Sequence, residues 1–492
     1  MVVAAAIIGN RGLAVGGDRP DILLILADDL AWSDLACYGH PFHRTPNLDR
    51  LARDGMRFTA AYSPAPICSA ARASILTGQS VPRTGFEFVT KSGVVRQPVT
   101  VLNPMRTPPF TLNLDPDHTT IAEVLSPAGY ATHFYGKWHV SEHYRGRYLA
   151  WHPKYGPTTQ GFQIAEEDFG DHPYAYQNRP PPPDLKPGTY PNDSLINRIA
   201  AAIKPSTEHP HPPPKFIFAS LFHVHTPVKN RCKWLESYYD DVIPKDSPAR
   251  ARRIRYAAFV ETLDHHVGTL LSAIHQGSAD DPPLVVFTSD NGGHPQFADN
   301  TPLRGSKWNL YEGGIRVPMI VRWPGVVPAD SVCDTPVIGY DLLPTFADIA
   351  DAATVDHDID GKSLLGLLRG NCDADDALGD RPLVWHFPYY HPETNFAAAP
   401  SPIGVGDFVT SRTTPHSALR DGPWKVIRFD ETGTIELYHL VDDVAEQNDR
   451  SRSHPEIARR MTRRLNECLD RFNARPAIPP GNPERAAIPP DR

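Results

Sequence analysis

"DILLILADD" at residues 21–29 places a continuous apolar run directly before a pair of aspartates. Three further apolar runs also end in polar side chains: "ATHFYGKWH" at 131–139, "KFIFASLFHVHTP" at 215–227 and "PLVVFTSDNGG" at 283–293. Continuous apolar runs of this length, bounded by turn residues, are typical of strands that are buried on both faces of a parallel sheet. The sequence therefore predicts four such strands.

Helical patterns separate these strands, and the clearest spans residues 252–275, where apolar side chains recur with a 3.6-residue period. Alternating strands and helices favour an α/β fold in which a mostly parallel central sheet is sandwiched by helices. Ligands of such sheets bind beyond the carboxyl ends of the strands. We therefore expect the polar clusters after all four strands to meet at one edge.

The composition limits the classes of protein to consider. A chain of 492 residues with 40% apolar residues can bury a large core and form more than one structural unit. Its net charge of −8 argues against a general nucleic-acid-binding protein. The six cysteines form no CxxC pair, which excludes a zinc module and a disulfide framework, so we expect mostly buried thiols.

Membrane and export signals are weak. No stretch approaches the ~20 apolar residues that cross a bilayer, so we predict no membrane span. The N-terminal "MVVAAAIIGNRGLAVGG" lacks a basic region, and its apolar run is short for a signal peptide. A periplasmic or secreted protein with a trimmed leader and a cytoplasmic protein both stay open.

The character of the chain changes near residue 376. "SALRDGPWKVIRFDETGTIELYHL" at 417–440 predicts an antiparallel sheet with a hairpin turn at Asp421-Gly422, followed by a helix near 454–472. We therefore predict an α/β domain over 1–375, a smaller α+β subdomain over 376–475 and a frayed, proline-rich tail over 476–492. The proline-rich segment 171–215 is interpreted as a surface loop.

Oxygen ligands follow two of the predicted strands: Asp28, Asp29, Asp290 and Asn291. Three carboxylates and an amide favour Ca²⁺, with Mg²⁺ second, over zinc. Each pair alone is more typical of turns and helix caps. Both pairs at one sheet edge favour a metal site.

Cationic side chains follow the other strands. Lys137 and His139 are two residues apart and share a face of an extended backbone. Together with Arg72, His225 and Lys307 they could surround a tetrahedral oxyanion. Each of these residues alone is more often a surface or core residue. Asp264-His265-His266 lies within a predicted helix, where neighbours point about 100° apart, so it is interpreted as structural.

A lone cysteine carries a family resemblance. Cys68-Ser69-Ala70-Ala71-Arg72, followed by Leu76-Thr77-Gly78, resembles the signature of the sulfatase family within the alkaline-phosphatase-like superfamily. Further matches run in family order: "ILADD" at 25–29, "YGKWH" at 135–139, "HVHTPV" at 223–228, "TSDNGG" at 288–293, "LRGSKWNLYEGGIRVPMIVRWPG" at 303–325 and "ELYHLVDDVAEQND" at 436–449.

The resemblance implies a chemistry for these residues. Cys68 would be oxidised by a formylglycine-generating maturation enzyme to formylglycine, whose hydrate is the nucleophile. Calcium would be held by Asp28, Asp29, Asp290, Asn291 and residue 68 itself. Arg72, Lys137, His139, His225 and Lys307 would surround the sulfate. His225, with Lys307, would protonate the leaving alcohol, and His139 would accept a proton from the second hydroxyl of the hydrate.

One departure concerns maturation. The commonest family signature has proline two residues after the cysteine and often serine before the arginine, whereas this chain has Ala70 and Ala71. The resemblance therefore leaves open which enzyme performs the conversion.

Three functions stay open on the sequence: a hydrolase of a small-molecule or oligosaccharide sulfate ester, a phosphonate or phosphate ester hydrolase on the same site, and a non-catalytic binder of sulfated glycans in which Cys68 is never converted. A two-zinc phosphatase is disfavoured because the expected histidines are missing from the oxygen-rich ligand set. The predicted substrate contacts, best marked by "WHFPYYH" at 385–391, are His294, His386, Tyr389, His391 and His416.

Overall fold

The central feature of the computed structural model is an eight-stranded sheet that contains all four predicted strands. The structure describes residues 19–178, 180–204, 212–275, 282–352, 359–371, 378, 381–391 and 413–481. The strands of the whole structure, in chain order, are β1 (Ile22–Ala27), β2 (Met56–Phe58), β3 (Ala61–Tyr62), β4 (Ala131–Gly136), β5 (Ile164–Glu166), β6 (Lys215–Ser220), β7 (Leu284–Ser289), β8 (Met319–Arg322), β9 (Ser331–Cys333), β10 (Val337–Ile338), β11 (Leu383–Phe387), β12 (His416–Asp421), β13 (Trp424–Phe429) and β14 (Ile435–His439).

The strand order explains why one edge carries the polar clusters. The order in the large sheet is β5-β4-β6-β1-β7-β8-β2-β9. Strands β5, β4, β6, β1 and β7 pair in parallel, and β8 is antiparallel to both of its neighbours. Strands β4, β6, β1 and β7 are therefore consecutive and point the same way, as predicted.

Helices cover both faces of the sheet. In chain order, the α-helices of the whole structure with described bounds are α1 (Pro46–Arg53), α2 (Cys68–Thr77), α3 (Val81–Thr84), α4 (Ile121–Leu125), α5 (Ser194–Ile203), α6 (Lys233–Val242), α7 (Arg250–His275), α8 (Glu312–Ile315), α9 (Leu342–Ile349), α10 (Leu365–Leu368) and α11 (Pro455–Arg471).

Alternating side chains of β1 divide the core into two layers. Ile22, Leu24 and Leu26 pack with α2, α4 and α9, whereas the side chains between them pack with α1, α5 and α7. Burial on both faces removes each strand's apolar side chains from water, which is the main favourable contribution to folding. The predicted fold, a mostly parallel sheet between helices, is confirmed.

Helix α7 matches the predicted helix within two residues. Asp264 on this helix accepts hydrogen bonds from the backbone N–H groups of Asn47 (3.1 Å) and Leu48 (2.9 Å) at the start of α1. His265 stacks on Tyr190 with ring centroids 3.9 Å apart. The structural interpretation of this triplet is confirmed.

The prediction of a continuous loop over 171–215 is wrong for part of the segment. Helix α5 begins after Asp193, whose side chain accepts a hydrogen bond from the backbone N–H of Ile196 at 3.0 Å. Leu195, Ile196 and Ile199 are buried in the layer that contains α7. The flanking prolines concealed this short amphipathic helix.

The C-terminal part forms a separate sheet of order β11-β12-β13-β14 with the predicted turn between β12 and β13. Helix α11 packs on one face of this sheet, close to its predicted bounds. The predicted boundary at 375/376 falls outside the described residues and stays a prediction. The tail is not frayed at its start, because Ile478 exchanges backbone hydrogen bonds of 2.8 and 2.9 Å with Arg106.

Two further predictions concern the cysteines and a membrane span. Cys68, Cys232, Cys333 and Cys468 are buried free thiols and Cys37 is a half-buried one, whereas residue 372 lies outside the described residues. Within the described ranges, every helix is too short or too polar to span a bilayer.

A buried ion network joins the C-terminal sheet to helix α8 and strand β3. The ammonium of Lys425 on β13 lies 2.8 Å from carboxylate oxygens of both Glu312 and Glu446, and all three side chains are inaccessible to solvent. Tyr62 next donates a hydrogen bond of 2.7 Å to Glu312. Burial and the neighbouring Glu312 charge raise the pKa of Glu446 to about 7, with the Lys425 charge opposing them.

We predict that Lys425→Met destabilises the fold by about 3–5 kcal/mol, because it leaves two buried carboxylates without their cation. Chemical denaturation measures the loss. Adding Glu446→Gln to this variant removes one of the two charges and should recover part of the stability. Lys362→Met, at an exposed position, should change stability by less than about 0.5 kcal/mol. Equal losses in the Lys425 and Lys362 variants would contradict the role of the network.

Candidate active site

The carboxyl ends of four neighbouring strands bring the predicted site residues together. Asp28 and Asp29 follow β1, and Asp290 and Asn291 follow β7. Of the predicted cations, Lys137 and His139 follow β4, His225 follows β6, Lys307 lies on the loop before α8, and Arg72 lies on α2. Helix α2 begins at Cys68, which places the partial positive charge of a helix N-terminus beside the thiol. Every predicted catalytic or metal residue is buried except His225, which is only slightly exposed.

Three cation–carboxylate pairs form the centre of the site. Lys137 Nζ lies 2.6 Å from Asp28 Oδ2, and Lys307 Nζ lies 2.7 Å from Asp29 Oδ2. Arg72 Nε donates to Asp290 Oδ2 at 2.8 Å. Each pair joins a different segment of the chain, so the ion pairs also fix the relative positions of these segments.

Two buried oxygens in this centre have no hydrogen-bond partner among the described residues: Asp28 Oδ1 and Asn291 Oδ1. The Asn291 amide is oriented by its nitrogen, which donates to Asp29 Oδ1 at 2.7 Å. Ligand atoms of Asp28, Cys68 and Asp290 lie within 4.8 Å of one another. Because unpartnered buried oxygens are costly, this oxygen-rich set fits a hard divalent cation.

The carboxylate pKa values reflect the same crowding. Burial and the neighbouring Asp28 charge raise the pKa of Asp290 to about 6. Burial acts in the same direction on Asp29, but the charges of Lys307 and His225 outweigh it and hold the pKa of Asp29 well below its usual range. The raised pKa of Asp290 therefore reflects its burial and the closeness of the other carboxylates.

Cys68 faces His139, with its sulfur 3.3 Å from Nδ1. Burial raises the pKa of the Cys68 thiol, although the charges of Lys137 and Lys307 oppose the shift. Burial and the Lys137 charge hold the pKa of His139 well below its usual range. The sulfur of residue 68 thus lies in hydrogen-bond contact with an imidazole nitrogen.

His139 and Asp29 both adopt left-handed backbone conformations, with φ values of 58° and 61°. Such conformations are uncommon for residues other than glycine and persist where the surrounding structure holds them. Both side chains are thereby turned toward the sheet edge from tight turns.

His225 is oriented by an aromatic residue that the sequence analysis missed. Its Nε2 lies 3.6 Å from Asp29 Oδ2, and its Nδ1 lies 2.6 Å from the Thr226 carbonyl oxygen and 2.9 Å from the Tyr174 hydroxyl. Burial lowers the pKa of His225 to about 3, with the Asp29 charge opposing it. Because Nδ1 faces a carbonyl, Nε2 is the atom available to a ligand. Tyr174 lies in the proline-rich segment, which has no periodic pattern to mark it.

Glycines allow the loops of the site to approach one another. A Cβ on Gly136 would lie 2.1 Å from the carbonyl oxygen of Ser220, which accepts a hydrogen bond from the Lys137 N–H. A Cβ on Gly292 would lie 2.0 Å from the Gly313 carbonyl oxygen. These contacts bring Lys137 to the sheet edge and join the Asn291 loop to the loop that carries Lys307.

Lys91 is a further cation that the sequence analysis missed. Burial lowers the pKa of its ammonium, and the charge of a Cys68 thiolate would oppose that shift, so the two groups lie within Coulombic range. The ammonium also lies 5.5 Å from the centroid of the Phe88 ring. Its isolated position in the sequence carried no signal.

The predicted substrate contacts divide into two groups. His294 and His391 both pack against Trp308, with ring centroids 4.9 and 4.4 Å away. Trp308 follows Lys307 directly, and the His294 charge acts on Asp29. The structure therefore places these two histidines at the border of the site.

The other three side chains are held elsewhere. His386 contacts Ser417 Oγ at 2.8 Å, and His416 Nε2 accepts from the Leu310 N–H at 2.9 Å. Tyr389 packs within the aromatic cluster of Phe88 and Phe110. The observed partners of these three side chains belong to the protein itself, and their role as substrate contacts stays a prediction.

Comparison with known proteins agrees with this geometry. The family model described as "Sulfatase" matches residues 20–352, and "N-sulphoglucosamine sulphohydrolase, C-terminal" matches residues 306–400. The N-acetylgalactosamine-6-sulfatase of Canis lupus familiaris is 31% identical over 78% of this chain and 71% of its own length. Arylsulfatase A of Homo sapiens is 31% identical over 83% of this chain and 78% of its own length.

Solved structures share the fold. The complex of Ps i-CgsB with k-i-k-neocarrahexaose superposes with a TM-score of 0.68 at 24% identity, covering 92% of this chain and 93% of that chain. The complex of BT4656 with its substrate D-glucosamine-2-N,6-O-disulfate has a TM-score of 0.66 at 19% identity, covering 93% and 98%. The fold, the family model and the two relatives together show that this chain belongs to the sulfatase family of sulfuric ester hydrolases.

Proposed function

We propose that the protein hydrolyses a sulfate monoester on a sulfated carbohydrate, using residue 68 as formylglycine and a bound calcium ion. The observation that carries this proposal is the convergence of three cation–carboxylate pairs around Cys68, with two buried oxygens left without partners. A sulfate monoester needs cations around its oxygens, a nucleophile in line with sulfur and an acid at the leaving oxygen.

The relatives support a sugar as the substrate. N-acetylgalactosamine-6-sulfatases of several mammals are among the similar proteins, and the structures of similar fold include complexes with a neocarrahexaose and with a disulfated glucosamine. We infer the same class, a small or oligomeric sulfated sugar, for this chain.

Asp28, Asp29, Asp290 and Asn291 would hold the calcium ion, with residue 68 as a further ligand. When bound, the ion supplies positive charge that polarises the sulfuryl oxygens. Arg72, Lys137 and Lys307 are the cations of this chain that compensate the carboxylates and face the same centre.

Formylglycine would supply a hydrated aldehyde as the nucleophile in place of a thiol. A formylglycine-generating enzyme would install it on Cys68. An unmodified thiol has no second hydroxyl with which to expel sulfate.

Two histidines would move protons on opposite sides of the sulfuryl group. His225 presents Nε2 toward Asp29; once protonated beside the bound anionic ester, it would donate the Nε2 proton to the leaving alcohol, with Lys307 beside it. His139 presents Nδ1 to residue 68 and would accept a proton from the second hydroxyl of the hydrate. Water completes the reaction, in which the ester and one water become the free alcohol and sulfate.

We also infer that residues 1–375 form the catalytic domain and residues 376–475 a supporting subdomain. This division rests on the separate eight-stranded and four-stranded sheets, and the ion network of Lys425 links the second part to helix α8 of the first.

For the metal, we predict that Asp290→Ala abolishes turnover and also removes the rise in melting temperature that calcium gives the wild type. Differential scanning fluorimetry with and without Ca²⁺ measures binding independently of activity. Asp117→Ala, at an exposed position, should keep both properties. A wild-type protein that is fully active after chelation would refute the calcium site.

For the cations, Lys137→Ala and Lys307→Ala should each lower kcat/KM by about 10²-fold or more, because each removes a charged contact to a buried oxyanion. Steady-state kinetics on an aryl sulfate give these values. Lys233→Ala is the matched control, since its side chain is 49% exposed and pairs with Glu236. Similar losses in all three variants would show that the two site lysines do not face the substrate.

For the nucleophile, Cys68→Ser should release at most one alcohol per active site and then stall. A serine hydroxyl can attack sulfur and expel the alcohol, but the resulting sulfate ester has no second hydroxyl on the same carbon to expel sulfate. Mass spectrometry should find a sulfated peptide containing position 68 in the variant and an aldehyde in the matured wild type.

Three measurements separate the alternative functions: turnover by the variant, the chemical state of residue 68 and the preferred ester. Sustained turnover by Cys68→Ser near the wild-type rate would exclude formylglycine chemistry. A wild type from its native cell with an unconverted thiol would indicate a glycan-binding protein, and faster hydrolysis of a phosphate diester than of any sulfate ester would indicate a phosphoesterase.

A further inference from the structure

A second cavity lies away from the residues of the candidate active site. It is an open cleft of about 710 Å³ between the segment 95–110 and helix α11 with its exit segment. The described residues that line it include the predicted substrate contact His386 and none of the predicted catalytic or metal residues. The cleft is large enough to take two or more sugar units.

The walls of this cleft are fixed by backbone hydrogen bonds. On one side, the Phe110 N–H donates to the Val95 carbonyl oxygen at 2.9 Å, which folds the segment back on itself. On the other side, Ile478 exchanges two backbone hydrogen bonds with Arg106 and ties the exit of α11 to the same segment. The cleft is thus a built feature of the fold and includes residues from both parts of the chain.

Arginines dominate the lining. Arg96, Arg106, Arg428 and Arg475 line the cleft, and Asp470 is the only carboxylate among its described lining residues. This is a local excess of positive charge in a chain whose net charge is −8. Arginine forks match the oxygens of sulfate and carboxylate groups and bind them with two parallel hydrogen bonds.

The arginines differ in how many of their guanidinium nitrogens bond to carboxylates of the protein. Arg475 is held by Glu87, which accepts from its Nε at 3.0 Å and its Nη2 at 2.7 Å, so Nη1 is the nitrogen left for a ligand. Arg428 donates to Asp430 at 2.9 Å. Arg96 is exposed and makes no ion pair with a described residue. One arginine is thus preorganised by a buried partner, and another can adapt to the ligand.

The segment that forms one wall also leads to the candidate nucleophile. It follows Thr90, whose backbone N–H donates to Ser69 Oγ at 3.3 Å next to Cys68, and it continues to Arg96 and Arg106 in the cleft. One segment of the chain therefore connects the two places. A substrate chain that carries several anionic groups could use both at once.

We propose that this cleft is a second binding site for an anionic sugar unit, sulfated or carboxylated, of the same oligosaccharide whose sulfate ester is cleaved at residue 68. The proposal rests on the proposed function for the identity of the chain, whereas the binding site itself can be tested without catalysis.

The lining favours a glycan over a nucleic acid. No Phe, Tyr or Trp is among the described residues of the cleft, so it lacks the stacking platforms that single-stranded nucleic acids use. Pro108, Pro109 and Leu469 offer small apolar surfaces between the arginines, which suit the C–H faces of sugar rings.

Binding is measured by fluorescence anisotropy on Cys68→Ala protein, which cannot turn over the probe. The probes are labelled sulfated hexasaccharides of chondroitin, heparan and carrageenan type, with inorganic sulfate and a six-nucleotide DNA strand as competitors. In the double variant Arg96→Gln/Arg106→Gln the tightest hexasaccharide should bind about tenfold or more weakly. The matched control Arg252→Gln/Arg452→Gln removes two exposed arginines elsewhere and should stay within about twofold of the parent.

Kinetics on matured protein provide the second measurement. The cleft variant should raise KM for a cleaved hexasaccharide and leave kcat/KM for a small aryl sulfate unchanged. Equal hexasaccharide affinity in the cleft variant and its control would overturn the proposal. So would DNA that competes as strongly as the hexasaccharide, or inorganic sulfate that displaces it at equal concentration.

The two proposals can fail separately. If matured protein hydrolyses no sulfate ester, the proposed function fails, yet a selective loss of hexasaccharide binding in the cleft variant still supports the second site. If hydrolysis occurs but the cleft variant binds and cleaves the hexasaccharide like the control, only the second site is refuted. Comparable melting temperatures for both double variants ensure that the comparison concerns folded protein.

Discussion

The site depends on compensating three carboxylates that the fold buries completely. Asp28, Asp29 and Asp290 lie at the ends of adjacent strands because those strands are parallel neighbours. Buried charges of one sign must be matched by nearby charges of the other. The matching cations come from three separate segments: Lys137 after β4, Lys307 on the loop before α8, and Arg72 on α2. Charge compensation therefore determines how sheet, helix and loop are assembled.

This compensation also bears on function. In the described structure the cations are engaged by carboxylates, and two oxygens remain without partners. A divalent cation on those oxygens would take over part of the neutralisation. The same lysines and arginine would then have positive charge to offer an anionic substrate. In a site of this kind the metal raises the affinity for an anion indirectly, because it frees the cationic side chains from the carboxylates.

The sequence allowed the sheet and most of the central site to be predicted, for a clear physical reason. Apolar runs followed at once by polar residues mark both a strand and its carboxyl end, and the parallel arrangement brings such ends together. Residues such as Asp28, Lys137 and Asp290 were therefore found from local pattern alone. The hairpin at Asp421-Gly422 was predictable in the same way, because these two adjacent residues favour the turn.

Residues that depend on distant packing were not predictable in this way. Tyr174 contacts His225 from a segment without periodicity, and Lys91 lies within Coulombic range of Cys68 on an irregular loop. Conversely, His386 and Tyr389 looked like substrate contacts because aromatic and histidine residues cluster there. In the structure, His386 contacts Ser417 on the neighbouring strand, and Tyr389 packs against Phe88 and Phe110. No local pattern in the sequence indicates these partners.

His416 shows how such a residue can support the site through its contacts within the protein. Its Nε2 accepts from the Leu310 N–H. Arg304 donates to the Glu446 carbonyl oxygen at 2.8 Å, and Glu312 contacts Lys425. All three contacts join the C-terminal sheet, or the turn that follows it, to the segment 304–312, which carries Lys307. The position of that lysine, and with it the compensation of Asp29, is therefore set partly by a subdomain that supplies none of the central charged groups. Sequence changes in the C-terminal sheet can thus act on the site through this single segment.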